Sequence, residues 1–118
     1  MNNVLAVTNG NFQAEVLEAK VPVLVDLYAD WCMPCRMLGQ VLAQMASKLD
    51  GQVKFVKINV DEQAELAGAF GVSGIPMLVL FQDGQVVDHA VGALTAGQVG
   101  AMLEKARSAA LKLEGTVP

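Results

Sequence analysis

The sequence predicts an α/β fold: a central mixed five-stranded sheet flanked by four helices on both faces. Short β-branched runs alternate with stretches of three- and four-residue apolar spacing, in the order β-α-β-α-β-α-β-β-α. Such alternation implies parallel strand pairs in the first part of the chain. An Asp-Gly pair, Asp83-Gly84, joins the last two strand-like runs as an antiparallel hairpin. The 118 residues suit one domain, taken over 1–118 with 1–3 and 108–118 peripheral. A chain of this size buries about two-thirds of its unfolded surface, enough for one core without staples.

Each element has its own signal. Val4 to Val7 is a short strand, and Thr8-Asn9-Gly10-Asn11 a turn cluster with capping residues. Phe12 to Ala19 reads as a helix with Phe12, Val16 and Ala19 on one face. Val21 to Tyr28 lacks polar alternation and suits a strand buried on both faces, with Pro22 tolerated at its start. From Pro34 to about Leu49 the residues Met37, Leu38, Val41, Leu42, Met45 and Leu49 mark a helix, closed by Asp50-Gly51. On this spacing Met37 and Met45 are expected in the core. Val53 to Val60 alternates as a strand, and Asp61 to Phe70 is a short helix ended by Gly71. The hairpin strands are Met77 to Phe81 and Val86 to Val91. Thr95 caps a last helix to about Leu113, weakened at its start by Gly97 and Gly100, with Leu111 and Leu113 extending and packing it.

Composition excludes several function classes. Hydrophobic residues are 53% and charged residues 17%, against about 25% charged in ordinary domains, so the chain is not of the disordered class. With 8 basic and 12 acidic residues the net charge is -4, which argues against nucleic-acid or polybasic membrane-surface binding. No apolar run reaches the roughly 20 residues that span a bilayer. The first ten residues, MNNVLAVTNG, lack the basic and apolar parts of a secretory signal, and the expected setting is cytoplasmic.

The two cysteines stand at Cys32 and Cys35, in Trp31-Cys32-Met33-Pro34-Cys35. A loop so small constrains the unfolded chain little, so the pair reads as chemical before structural. A zinc site wants four N or S ligands, and only His89 could join the cysteines from within the chain. A c-type haem needs His where Arg36 stands, and an iron–sulfur cluster wants four thiolates. A redox dithiol remains, with no metal site. Thiolate is the nucleophile, and a helix beginning near Pro34 puts Cys32 at a positive N-terminus that favours it. Cys35, one turn on and beneath it, is placed to resolve a mixed disulfide formed at Cys32.

Asp26 interrupts the apolar run Val23-Leu24-Val25-Asp26-Leu27, where burial should raise its pKa. From the residues alone, a structural carboxylate facing a polar crevice serves equally well.

Asp26, the Trp31-to-Cys35 run, Gly74-Ile75-Pro76 and Val91-Gly92-Ala93 together resemble the thioredoxin family over about residues 4 to 107. The resemblance implies the thioredoxin fold, protein-disulfide reductase activity on disulfide-containing client proteins, and re-reduction by a thioredoxin reductase. It also implies a monomer with no cofactor beyond the Cys32–Cys35 disulfide. It makes Asp26 the proton acceptor and donor for Cys35 through water, with Lys57 matching a family lysine near that carboxylate. It implies a cis Ile75-Pro76 bond whose loop faces the cysteines. Trp31, Met33, Pro34, Gly74, Ile75, Pro76, Gly92 and Ala93 then form a shallow apolar docking surface for an extended client segment. Otherwise Gly74 and Gly92 are only turn glycines.

Four departures from the family pattern stand out: Met33 for Gly, Gln40 for a helix-kinking Pro, Met77 for Thr and Tyr28 for Trp. Met33 adds a flexible uncharged side chain, so partner fit should change more than potential. Gln40 predicts a straighter helix. His89 reads as an ordinary strand residue, since a catalytic histidine needs positioned partners. Two competing functions differ in class. A binding subunit or co-chaperone docking clients on its apolar face would keep its partners without either thiol. An oxidase or isomerase would show a potential near −120 mV, against about −270 mV for a reductant of this type.

Overall fold

The computed structural model describes residues 3–115, with side-chain surroundings described through residue 106. The strands are β1 (Val4–Ala6), β2 (Val23–Tyr28), β3 (Lys54–Asn59), β4 (Met77–Gln82) and β5 (Gln85–Val91). The helices are α1 (Met33–Lys48), α2 (Ala64–Phe70) and α3 (Ala96–Gly115), with a π-helical turn at Gln13–Leu17. The sheet order is β1-β3-β2-β4-β5. β1, β3 and β2 run parallel, and β4 and β5 are antiparallel additions, so the mixed sheet agrees with the alternation argument.

β2 is the central strand. Its residues alternate between two cores, as the period-2 geometry of a strand requires. Val23, Val25 and Leu27 face a cluster with Val16, Ile58, Leu66, Val79 and Phe81. Leu24 faces the opposite cluster with Leu38, Leu42, Phe55, Leu78, Leu80 and Val99. Asp26 follows two residues after Leu24 and falls on the α1 side of the sheet. Phe12, Phe70 and Phe81 meet edge to face with centroids 5.6 to 6.0 Å apart, which ties the segment before the π-helical turn to α2 and β4.

Local chemistry sets the boundaries. The expected helix over Phe12 to Ala19 is shorter and wider: the Glu18 N–H bonds to the Gln13 carbonyl, five residues back. The expected start of α2 at Asp61 is corrected to Ala64. Asn59 Oδ1 accepts the N–H groups of Asp61 and Glu62 at 2.9 and 3.2 Å, so that stretch is an Asx-type turn. Thr95 and Gln98 cap α3 reciprocally, Gln98 N–H to Thr95 Oγ1 and Thr95 N–H to Gln98 Oε1. The backbone of α3 continues past Leu111 and Leu113 to Gly115, while their packing lies outside the described residues. One core assignment is wrong: Met37 is 63% exposed, although Met45 packs partly against the α1-side cluster. Helical spacing puts Met37 beside Val41, which is itself only half-buried, while Leu38 and Leu42 carry the buried face of α1.

Candidate functional site

The end of β2 delivers the site. After Tyr28 the chain turns through Ala29 to Trp31 and enters α1, with Cys32 as its N-cap. Cys32 is extended at φ −91° and ψ 108°, and its Sγ accepts the Cys35 backbone N–H at 3.3 Å. Pro34 sits in the first turn, where a missing N–H leaves no gap in the ladder. Cys32 and Cys35 are joined as a disulfide with Cα atoms 5.2 Å apart, so the structure is the oxidised form. Both cysteines are nearly buried, Cys32 at 6% exposure and Cys35 at 3%. They pack with Ala29, Tyr28, Val60 and Ile75.

The Ile75-Pro76 bond is cis. Ile75 lies against the cysteine cluster, Pro76 is buried, and the Pro76 carbonyl accepts the Gly92 N–H at 2.8 Å. Gly92 has φ +113°, a conformation that selects glycine. This pairing joins the loops of Gly74 and Gly92 beside the disulfide. Trp31, Met33, Pro34 and Ala93 are exposed, and Gly74, Ile75 and Gly92 half-exposed. Trp31 is 73% exposed, yet its Nε1–H donates to Asp61 Oδ2 at 2.9 Å. Asn59 holds Asp61 through its backbone and reaches Asp30 Oδ2 with its Nδ2 at 3.5 Å. Asn59, Asp61 and Asp30 are the site residues that sequence reasoning missed. Their order along the chain carries no motif, and only the end of β3 meeting the end of β2 brings them together.

Behind the disulfide a cleft of about 420 Å³ is lined by Asp26, Lys57, Cys35, Arg36, Gly39 and Gln40, among others. Asp26 is only 5% exposed and pairs in register with Lys57 on β3. Among the described residues its Oδ1 meets no hydrogen-bond donor. Burial pushes its carboxyl up to about 7, with the Lys57 ammonium pulling the other way. Lys57 Nζ also lies 5.8 Å from the Tyr28 ring centroid. A carboxyl that titrates near neutrality and shares a cleft with one sulfur can exchange protons with it. His89 is exposed on β5, away from the disulfide. Among the described residues no group of His, Cys, Asp and Glu is arranged to hold a metal ion, and no helix is long and apolar enough to cross a membrane.

Residues 3–105 match the family profile described as Thioredoxin. The chain is 45% identical over 105 residues to Thioredoxin 1 of Synechococcus elongatus, which covers 89% of this chain and 98% of that relative. It is 43% identical over 102 residues to thioredoxin of Pseudomonas aeruginosa, covering 86% and 94% respectively. Similarity to thioredoxin of Haemophilus influenzae is 41% over 99 residues, covering 84% and 92%.

Proposed function

Because this chain belongs to the thioredoxin family, we propose that Cys32 is its attacking thiolate, Cys35 its resolving thiol and Asp26 the proton acceptor of the second step. The protein is a protein-disulfide oxidoreductase with a CxxC redox pair. The direction we assign is reduction of client disulfides. The reduced Cys32 thiolate attacks one client sulfur, forming a Cys32–client disulfide and expelling the other client sulfur as thiolate. Cys35 gives its proton, through water, to the Asp26 carboxylate and attacks Cys32 Sγ. The Cys32–Cys35 disulfide forms, and the second client sulfur leaves as thiolate. Two electrons have passed from the dithiol to the client. A thioredoxin reductase returns the pair to the dithiol.

The observation that carries the assignment is the Cys35 N–H directed at Cys32 Sγ at the start of α1. The same donor, with the helix dipole behind it, stabilises a negative sulfur at Cys32 and not at Cys35. Lys57 we assign as the counter-charge that keeps the Asp26 proton labile. The exposed face of Trp31, Met33, Pro34, Gly74, Ile75, Gly92 and Ala93, with Pro76 beneath, is the proposed client-docking surface. The reading takes the chain as one monomeric domain acting in the cytoplasm, with no cofactor besides its own disulfide.

Redox titration of the Cys32–Cys35 couple against glutathione tests the direction: a midpoint nearer −270 than −120 mV is expected of a reductant. In a disulfide-reduction assay Cys32→Ser abolishes turnover. Turnover surviving that substitution, or a strongly oxidising midpoint, refutes the reading.

A further inference from the structure

The cleft behind the disulfide has one wall of which the proposed mechanism uses only Cys35. Cys35, Arg36, Gly39 and Gln40 of α1 lie one turn apart in pairs and line it on one side, facing Asp26 and Lys57 on the sheet. Each turnover loads a proton on Asp26, and that proton must leave before the next. Asp26 is buried and its Oδ1 meets no donor among the described residues, so its exit runs through water in the cleft. A space of about 420 Å³ bounded by carboxylate, amide, guanidinium and ammonium groups is roomy and polar enough to hold several waters.

We propose that Gln40, an exposed residue lining the cleft, is a positioning residue for this exit: its carboxamide holds the water through which Asp26 trades its proton with solvent. Arg36 is already engaged, its Nε donating to the Asp30 carbonyl at 3.1 Å. A carboxamide both donates and accepts, so it joins a water chain in either direction without adding a charge that competes with Lys57. Gly39 keeps the neighbouring space open, since a Cβ built there meets nothing within 4 Å. The charged and titratable groups facing Asp26 across the cleft are Lys57 from β3, Cys35 and Arg36 from α1, and Tyr28 and Asp30 from the end of β2.

This inference rests on Asp26 serving Cys35, so its test separates the two. The full-length protein is prepared with Gln40→Met, which keeps the length and removes the amide, with Gly39→Leu, which fills the open side, and with Gln40→Asn as the polar counterpart. The Asp26 carboxyl carbon is titrated by NMR in the oxidised state. Release of a client peptide from its Cys32 mixed disulfide is timed from about pH 6 to 9. Gln40→Met and Gly39→Leu should raise the Asp26 midpoint and slow release about fivefold at neutral pH, with Cys32 alkylation unchanged and Gln40→Asn close to the parent. Both shifts are required. Release and midpoint unmoved in Gln40→Met, or slowed release without a moved midpoint, overturns the role of Gln40 while a slow Asp26→Asn keeps that of Asp26. Unchanged release in Asp26→Asn overturns both.

Discussion

At the scale of single residues, Asp26 is a group whose burial costs stability. Its carboxyl sits at about 7 in the folded chain because burial disfavours the ion. An unfolded Asp titrates near 3.9. Between those values the folded state holds the proton and the unfolded state has released it. Stability is therefore fullest below the unfolded value and falls as pH rises toward 7, by about 4 kcal/mol in all. Asp26→Asn stays neutral throughout and escapes that loss. Urea unfolding of the oxidised protein should show the Asn variant gaining on the parent from about pH 4 to 8, by a few kcal/mol, and then running level. A gap that does not change with pH would mean that Asp26 is hydrated and ordinary. The same substitution should slow client release and flatten its pH dependence, and unchanged rates across about pH 6 to 9 would remove Asp26 from the proton path.

At the scale of elements, the hairpin gives the sharpest test. Asp83 and Gly84 have φ of +52° and +77°, the two positive values that a type I′ turn demands. A Cβ at Gly84 would stand 2.9 Å from the Leu17 carbonyl oxygen, so the turn is also seated on the end of the π-helical segment. Gly84→Ala meets both the backbone penalty and a contact with main chain that cannot swing aside. A loss of about 1–3 kcal/mol is expected in urea; a loss below about 0.5 kcal/mol would show that the turn relaxes freely. The Asp-Gly signal for this hairpin was legible because turn chemistry is local. So was the Cys32 cap, since Pro34 after a strand announces a helix start. The buried carboxylate was legible as a polar break in an apolar strand. Met37 was misplaced because an apolar residue at helical spacing can fall beside the buried face, which Leu38 and Leu42 carry here. Asn59, Asp61 and Asp30 left no trace, because their partnership joins two strand ends that are distant in sequence.

At the scale of the whole molecule, the redox cycle requires one fold that survives in two covalent states. The disulfide closes a loop of only four residues, Cys32 to Cys35. On the chain-entropy account so small a loop is worth about 2 kcal/mol. The fold is held by something else: two apolar clusters on opposite faces of one sheet, joined through β2, β3 and β4. The first cluster runs from Val7 to Phe81 and the second from Leu24 to Ala106, and neither includes a cysteine. The pair sits in its own small cluster at the sheet's end, where the sulfurs can separate without opening either core. Reduction should therefore lower the urea midpoint by no more than about 2 kcal/mol in equivalent stability and leave the amide NMR spectrum dispersed, with shifts confined to residues around Trp31, Ile75 and Gly92. If reduction instead collapsed the dispersion across β4 and β5, the disulfide would be a structural staple. A staple cannot be broken and remade on every turnover, so an electron-carrying role depends on the cores standing without it.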